Sequence, residues 1–412
     1  ALWSGLMPHQ TNVRSNSAEH INPPLPDSIP TLGSLFTANG YEAVHFGKTH
    51  DMGSLRGFRH KEPVAKPFTD PEFPVNNDSF LDVGTCEDAV AYLSNPPQEP
   101  FICIADFQNP HNICGYVGEN KGEHIDSPIS TPLPLLPGNF EVEDWEKLPL
   151  PIQYICCSHR RMMQAAHWNE DNYRHYVAAF QHYTRIVARQ IESVLEALYS
   201  TPAGKNTIVI VLADHGDGMG SHRMVTKQVS FYEEMTNVPF IIAGPGIHPR
   251  QKPVEDLLTQ PTIDLLPTLC ELAGIPVPSS KPGISLAPFL KGEKQKRQHP
   301  YAASEWHSEY EVTVSPGRMI RSPRYKYTHY LEGNGEELYD MLKDKGERRN
   351  LAHDPKYSKI LAEHRALLDD YIRRTQDDYR SLKVEADKRW RSHAPGYPNH
   401  EGPCARDIIN RK

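Results

Sequence analysis

The sequence TIVIVLADHGDGMGSHRMVTKQ, residues 207–228, decides the fold, because an apolar run leads directly into a polar, glycine-rich loop. The run from Thr207 to Leu212 predicts a buried strand. Open α/β folds bind their ligands at the carboxyl edge of the sheet, where such strands end. We therefore interpret the loop from Ala213 to Gln228 as the candidate active-site segment.

The first polar residues of this loop are predicted metal ligands. Asp214 supplies a hard anionic oxygen and His215 a neutral nitrogen, so the adjacent pair could reach one divalent cation. Gly216, Gly218 and Gly220 allow the backbone to turn tightly around it. The alternative is a glycine-rich surface loop in which Asp214 caps a helix.

Three hydrogen-bond donors follow the predicted metal pair: His222, Arg223 and Lys227. Donors of this kind beside a metal ion suggest a bound tetrahedral oxyanion, because the metal and the cations would share its negative charge.

Two other predicted strands also end in polar loops. The strand from Tyr41 to Phe46 runs into Gly-Lys-Thr-His, and Lys48 and His50 would point to the same side of an extended segment. The strand from Pro100 to Asp106 ends in a loop that contains His111. Each loop taken alone has an alternative, a solvated Lys-x-His loop or a structural histidine. Together, three such strand ends in an alternating β/α pattern predict an α/β fold with one shared site.

Composition limits the classes of partner. The chain has 412 residues and a net charge of −8, so nucleic acid is not an expected partner and an anionic substrate would need a local basic pocket. No apolar run approaches the roughly 18 residues that a membrane-spanning helix needs. The seven cysteines form neither CxxC pairs nor a zinc-like arrangement, and they do not determine the redox compartment. Oligomeric state is not indicated.

The pattern predicts two units. A large α/β domain covers residues 1–297, and its clearest helix runs from about Asn172 to Tyr199. Residues 116–170 lack periodicity and are interpreted as a long insertion. A charged linker at 291–297 precedes a smaller C-terminal α+β subdomain, residues 298–412, with short antiparallel strands and a charged helix at about 357–390.

The order of these motifs resembles that of the type I sulfatases in the alkaline-phosphatase-like superfamily, from residue 1 to about residue 355. The segments that carry the resemblance are ALWSGLMPHQTNV, IPTLGSLFTANGYEAVHFGKTH, FICIADFQNPH, ADHGDGMGSHRMVTKQ, NVPFIIAGPGI, TIDLLPTLCELAGIPVP and RYKYTHYLEGNGEELYDMLKDKGERRNLA. This family resemblance implies a central mixed sheet flanked by helices.

The resemblance also implies roles for the residues of the site. Lys48 and Lys227 would bind the sulfate group. Asp214 and His215 would be two ligands of a calcium-type ion, Ca2+ rather than Mg2+ or Mn2+. The negative charge that develops on the sulfuryl oxygens is stabilised by fixed cations, so these roles suit the chemistry.

Two histidines would transfer protons in that reaction. By the resemblance, His111 would protonate the leaving alcohol and His50 would help to break down the sulfated enzyme intermediate. The family nucleophile is a formylglycine made from the Cys or Ser of a Cys/Ser-x-Pro-Ser-Arg signature. That signature and the acidic pair before it are absent from these residues. We therefore expect half of the metal site, no nucleophile, and a fragment that is inactive by itself.

The substrate is expected to be a sulfated carbohydrate. The Lys227-Gln228 pair and the segment DGMGSHR resemble carbohydrate sulfatases, including those that act on 2-O-sulfated uronic acids. His222, Arg223 and Gln228 would then bind the substrate, with His222 and Arg223 contacting the sugar or its carboxylate. The alternative is that His222 only orders the loop. Both glycosaminoglycans and algal polysaccharides remain open, and either polymer implies an exported enzyme, periplasmic or extracellular.

Two other functions remain open. One is a phosphomonoesterase or phosphodiesterase of the same superfamily, which would use similar metal and Lys/His loops. The other is a non-catalytic protein that binds sulfated glycans.

Overall fold

The computed structural model describes residues 1–14, 23–49, 52–66, 80–121, 132–141, 147–158, 160–228, 230–294, 299–307 and 316–382. Two sequence predictions fall outside the described residues: the role of His50 and the end of the last helix beyond residue 382. Among the described residues, no helix is both long and apolar enough to span a membrane.

Helices and strands alternate through the first two thirds of the chain. The helices are α1 (Pro8–Thr11), α2 (Leu32–Ala38), α3 (Leu81–Ser94), α4 (Ile113–Glu119), α5 (Leu150–Ser158), α6 (Arg160–Gln164), α7 (Glu170–Tyr199), α8 (Glu233–Thr236), α9 (Pro261–Leu272), α10 (Ala287–Leu290) and α11 (Ser358–Thr375). The strands are β1 (Glu42–Gly47), β2 (Arg59–Lys61), β3 (Phe101–Asp106), β4 (Val209–Leu212), β5 (Phe240–Ala243), β6 (Ala302–Trp306), β7 (Gly317–Arg321), β8 (Tyr325–Tyr330) and β9 (Gly335–Asp340).

The strands of the large domain pair in both directions. Strand β1 lies between β2 and β3 and is parallel to both, whereas β4 and β5 are antiparallel. Every residue of β1 after Glu42 is buried, as expected for a parallel strand that is covered on both faces. The predicted α/β class with a mixed arrangement of strands is therefore confirmed.

The register of β1 and β3 places the two following loops side by side. Gly47 pairs with Asp106 at the last rung, and the Lys48 N–H donates to the Asp106 carbonyl oxygen at 3.0 Å. Gly47 has a φ of 113°, and a Cβ there would lie 2.1 Å from that carbonyl oxygen. Only glycine fits this position, so it fixes where the Lys48 loop leaves the sheet.

Helix α3 is a feature that the sequence analysis missed. It packs against α7 and β1, and several of its buried positions carry small residues, among them Gly84, Thr85 and Ala89. Its buried Asp82 accepts hydrogen bonds from the Gln108 and Asn109 N–H groups at 2.6 and 2.8 Å. A helix with so few large apolar residues has no clear stripe, yet it anchors the loop after β3.

Helix α7 confirms the strongest helix prediction. Asn169 caps its first turn by accepting from the Asn172 N–H at 3.0 Å. Its tyrosines Tyr173, Tyr176 and Tyr183 are buried in the largest hydrophobic core cluster. The interpretation of residues 116–170 as an insertion without periodic structure was wrong in part, because α5 and α6 lie within it; helices of nine and five residues are too short to show a reliable period.

The predicted C-terminal strands form a four-stranded antiparallel sheet in the order β6-β7-β8-β9, and α11 packs on β7 and β8. Helix α11 ends at Thr375, because Gln376 has a left-handed φ of 57°. The predicted helix therefore does not continue through residues 376–382. The core cluster of this sheet also contains Met7 and Ile263 from the first part of the chain. The sheet is therefore packed firmly against the large domain.

Candidate functional site

The three predicted strand ends meet at one place. His111 lies within electrostatic range of four other predicted site residues, namely Lys48, Lys227, His215 and Asp214. Burial, together with the positive charges of Lys48 and Lys227, lowers the pKa of His111 to about 4. The tertiary structure thus brings together five of the residues that the sequence analysis singled out.

Two ammonium groups face this site without a neutralising partner. Burial and the charge of Lys227 lower the pKa of Lys48, while Asp214 and Asp106 oppose that shift. No carboxylate of the described residues lies within the 4.0 Å of an ion pair from either lysine ammonium. Two cations that are held close together without a counter-ion favour the binding of an anion.

The side chains of Asp214 and His215 lie close to each other, as a shared ion would require. The Asp214 Oδ2 and His215 Nε2 atoms are 3.5 Å apart, and the side chains are 81% and 42% exposed. The His215 Nδ1 lies 2.8 Å from the Gly216 carbonyl oxygen, which can only accept, so Nδ1 carries the hydrogen. The lone pair of Nε2 is then free to bind a metal ion. This donor set fits half of a divalent-cation site, and Asp214 does not cap an α-helix.

Glycine is required in this loop mainly because a Cβ atom would clash with neighbouring backbone, and less because of unusual φ angles. A Cβ on Gly216 would lie 1.7 Å from the Glu234 carbonyl oxygen, and one on Gly218 would lie 2.6 Å from that of Met224. Of these loop glycines, Gly220 has a positive φ, 84°. The loop therefore lies directly against α8 and its own return segment.

Asp217 holds the loop from inside, and the sequence analysis did not identify it. Its buried carboxylate accepts from the Tyr176 hydroxyl and from the Met219 N–H at 3.0 Å. The Tyr176 oxygen in turn accepts from the Thr226 N–H at 2.6 Å. Burial raises the pKa of Asp217. In the sequence, Asp217 is visible only as a second acidic residue among the loop glycines. Its structural role becomes clear only from its hydrogen bond with Tyr176 on α7.

His222 lies in the interior beneath the loop. It is 5% exposed, its ring stacks on Tyr232 with centroids 4.0 Å apart, and its N–H donates to the Asn139 carbonyl oxygen at 2.8 Å. Burial lowers its pKa to about 4. This position favours the alternative in which His222 orders the loop over direct contact with substrate.

Arg223 and Gln228 are engaged by neighbouring groups. The Arg223 guanidinium forms an ion pair with Glu141 at 2.8 Å and lies 4.5 Å from the centroid of the Phe140 ring. The buried Gln228 amide nitrogen donates to the Val225 carbonyl oxygen at 2.5 Å, and its Oε1 has no hydrogen-bond partner among the described residues. Contacts within the protein thus hold both side chains, and binding of substrate by Arg223 or Gln228 stays a prediction.

A separate group of potential ligands lies between α1 and the C-terminal sheet. His9, Glu305 and Asp377 are close enough to surround a cation. However, Arg318 donates to both Asp377 oxygens at 2.7 and 3.0 Å, and Tyr371 donates to Glu305 at 2.5 Å. Since a buried guanidinium already supplies the positive charge, this cluster is a structural ion network and not a metal site.

Comparisons with known proteins agree with this geometry. The family model described as Sulfatase matches residues 1–275, and one described as N-sulphoglucosamine sulphohydrolase, C-terminal, matches residues 220–374. A Delta 4,5-hexuronate-2-O-sulfatase of Bacteroides thetaiotaomicron is 78% identical over 412 residues, which are 100% of this chain and 86% of that protein. Arylsulfatase K of Bos taurus is 35% identical, over 85% of this chain and 68% of that protein.

A solved structure has the same fold. The structure of a 2-O GAG sulfatase superposes with a TM-score of 0.93 at 78% identity and covers 99% of this chain and 88% of its own. The expected alkaline-phosphatase-like architecture is thereby confirmed. The chain belongs to the sulfatase family, and it is an enzyme of the sulfuric ester hydrolase class.

Proposed function

We propose that the enzyme removes the 2-O-sulfate from hexuronate residues of saccharides derived from glycosaminoglycans. The observation that carries the proposal is the unneutralised pair Lys48 and Lys227 beside His111 and the Asp214–His215 pair. The names of the similar proteins, a hexuronate-2-O-sulfatase and a 2-O GAG sulfatase, support this substrate over algal polysaccharide. Such a substrate also supports an exported location.

In this proposal Lys48 and Lys227 bind the sulfate oxygens. A sulfate ester is a tetrahedral monoanion, and two ammonium groups stabilise both it and the charge that develops when the sulfur–oxygen bond to the sugar breaks. Because the two lysines lower the pKa of His111, binding of the anion between them raises that pKa again. Substrate binding thus favours the protonated His111 that the next step needs.

His111 then protonates the leaving group. As the bond between sulfur and the sugar oxygen breaks, the electron pair stays on the oxygen, and the proton from the imidazole converts the alkoxide into the free 2-hydroxyl. The loop that carries His111 is fixed from below by Asp82, which binds two of its N–H groups. This rigid support keeps the donor at a constant position relative to the sulfate site.

The metal ion that we assign to the site is calcium. Asp214 and His215 would supply an oxygen and a nitrogen ligand, and among the described residues they form no group with a third His, Cys, Asp or Glu. When bound, the ion would supply positive charge that stabilises the negative charge of the reacting groups. The protein's own contribution is the orientation of His215 by the Gly216 carbonyl oxygen.

The attacking group is assigned to the family signature and not to any described residue. Cys/Ser-x-Pro-Ser-Arg does not occur in these 412 residues, so none of them is assigned as the attacking group.

The function is tested by calorimetric titration with an unsaturated 2-O-sulfated hexuronate disaccharide. We expect binding that weakens at least about tenfold when the sulfate is absent from the disaccharide or when Lys227 is replaced by Ala. Lys205→Ala is the matched control, since Lys205 is an exposed lysine before β4, and it should leave binding unchanged. Equal affinity for the sulfated and unsulfated disaccharides would overturn the proposal.

A further inference from the structure

Helix α8 is bound to the loop that carries the predicted metal ligands. The Gly216 N–H donates to the Met235 carbonyl oxygen at 2.9 Å, and the Asp217 N–H donates to that of Glu234 at 3.1 Å. The Gly216 carbonyl oxygen in turn accepts from the His215 Nδ1 at 2.8 Å. The position of α8 therefore sets the position of the peptide that orients the His215 ring.

A buried carboxylate of the C-terminal subdomain binds the first residue of α8. Glu347 lies in the turn after β9, and its Oε2 accepts from the Glu233 N–H at 2.6 Å. Glu347 is 2% exposed, so water cannot replace this hydrogen bond. A continuous series of backbone and side-chain contacts thus leads from Glu347 through α8 to His215.

A buried lysine of β8 binds the same part of the chain. The Lys326 ammonium lies 2.8 Å from the Glu347 Oε1 and 2.9 Å from the Glu233 Oε1. It also donates to the Phe231 carbonyl oxygen at 2.7 Å. The antiparallel sheet therefore binds the backbone at Phe231 and at Glu233, on both sides of the residue that precedes α8.

Charge balance does not explain why Glu347 is present. Glu233 already places a carboxylate beside Lys326, and Arg321 lies 3.9 Å from that same carboxylate. A second buried acid here is unfavourable. Burial, together with the negative charge of Glu233, raises the pKa of Glu347 to about 7, and Lys326 opposes this shift.

The backbone of Glu347 is also in an unfavourable conformation. Its φ is 53°, in the left-handed region that residues other than glycine rarely adopt. Such a conformation persists only where the surrounding structure requires it. The contact that Glu347 makes in addition to its ion pair is the hydrogen bond to the Glu233 N–H, so this bond to α8 is the reason for its placement.

We propose that Glu347 is a positioning residue for the metal site, which acts through α8 and Gly216 to keep the lone pair of the His215 Nε2 available to the ion. This inference rests on the proposed function, because it assumes that His215 binds the metal ion. In this role Glu347 contacts neither the ion nor the substrate.

The test is the tautomer of His215 in the metal-free full chain, measured by 15N NMR on protein labelled at histidine, at about pH 8.5, where free imidazole is neutral. The His215 signals are identified by their absence in His215→Gln. The unchanged chain should show the Nδ1–H tautomer that the Gly216 carbonyl oxygen selects. In Glu347→Gly this preference should fall about fivefold, because glycine adopts a φ of 53° readily but offers no acceptor to the Glu233 N–H.

Calcium affinity, measured by calorimetry, is the second readout. Loss of a group that orients a metal ligand typically weakens metal binding about 10- to 100-fold, and Glu347 acts one step further away. We therefore expect about fivefold to tenfold weaker calcium binding by Glu347→Gly. Glu347→Gln keeps an oxygen for the Glu233 N–H and should recover most of both effects.

Glu347→Asn is a milder variant that preserves the test if Glu347→Gly does not fold. Asparagine tolerates a left-handed φ, but its side chain is one methylene too short to reach the Glu233 N–H. It should change the His215 tautomer and the calcium affinity in the same direction as Glu347→Gly.

Glu336→Ala is the matched control. Glu336 is a buried acid on β9 whose carboxylate binds Tyr327 of β8 and Arg365 of α11. The variant should lose stability, yet it should keep the His215 tautomer and bind calcium within about twofold of the unchanged chain. Equal results for the Glu347 variants and Glu336→Ala, whether both change or neither does, would overturn the inference. No calcium binding by the unchanged chain would instead refute the metal assignment of the proposed function, and the tautomer measured without metal would still decide the role of Glu347.

Discussion

The Tyr176 hydroxyl connects two parts of the loop from Ala213 to Gln228, since it donates to the Asp217 carboxylate and accepts from the Thr226 N–H. All three groups are buried, so water cannot replace either bond. Helix α7, the longest helix, thereby fixes the loop that carries Asp214 and Lys227. This contact therefore helps to fix the loop, together with the close packing of its glycines.

Tyr176→Phe tests the importance of that contact. The substitution removes one of the two hydrogen bonds to the buried Asp217 carboxylate and takes the acceptor away from the buried Thr226 N–H, so we expect a loss of about 2–4 kcal/mol in the free energy of unfolding. Urea denaturation measures this loss. Tyr199→Phe, at an exposed tyrosine of the same helix, should change it by less than about 0.5 kcal/mol. Equal stabilities of the two variants would contradict the role of Tyr176.

Gly216→Ala tests the close packing of the loop on α8. The added Cβ would lie 1.7 Å from the Glu234 carbonyl oxygen, so the backbone has to move. We expect a loss of about 2–3 kcal/mol in stability and weaker binding of sulfate. Gly138→Ala, where a Cβ meets no atom within 4 Å, should be neutral or slightly stabilising. Thermal melting of both variants measures this effect. An unchanged melting temperature of Gly216→Ala would show that close packing on α8 does not fix the loop.

The pH dependence of stability should contain a contribution from His222. The pKa of His222 is about 4 in the folded state, below the ordinary histidine value of 6.5. The unfolded chain therefore binds more protons between these two values, and stability falls as the pH decreases. Between pH 7.5 and pH 5 this effect amounts to about 2 kcal/mol.

His222→Phe keeps a ring against Tyr232 and removes the titrating group. The difference in unfolding free energy between pH 7.5 and pH 5, measured in urea, should therefore shrink by about 2 kcal/mol. His353→Phe, at an exposed histidine, should leave the difference unchanged. A His222→Phe protein with the full pH dependence would show that other groups cause it.

Calcium should stabilise the chain through Asp214. A ligand at about 100 times its dissociation constant adds about 2.7 kcal/mol to the stability of a folded protein that binds it. We expect calcium, added after treatment with a chelator, to raise the melting temperature more than magnesium does.

Asp214→Ala should abolish this shift, because it removes the oxygen ligand of the pair. Asp256→Ala, at an exposed acid outside the site, is the control and should respond like the unchanged chain. The same calcium response in Asp214→Ala would place the ion elsewhere.

Local sequence patterns predicted the framework of the site. The apolar runs before Lys48, His111 and Asp214 marked three strand ends, and these loops do converge. The same patterns identified α7 and the C-terminal strands. Such features depend on neighbours in sequence, because the periodicity and length of an apolar run decide whether a segment forms a strand or a helix. The assigned roles of these residues in binding and catalysis remain predictions.

Contacts between distant segments decided the rest. In the sequence, His222 and Arg223 were candidate hydrogen-bond donors to a ligand. In the folded chain, His222 stacks on Tyr232 and Arg223 forms an ion pair with Glu141. Sequence patterns provided no reason to single out Asp217, because its partner Tyr176 lies on α7, far away in the chain. Helix α3 escaped notice because small residues carry its packing.

The sequence by itself thus determined the fold class, the order of the strands that end at the site, and the residue types available there. Only the tertiary structure decided which of those side chains face a ligand and which are satisfied inside the protein. The adjacent rings of His45 and His60 are one example, because they meet only in the register of β1 and β2. The physical reason is that burial and hydrogen bonding are set by residues far apart in the chain, whereas sequence patterns report on near neighbours.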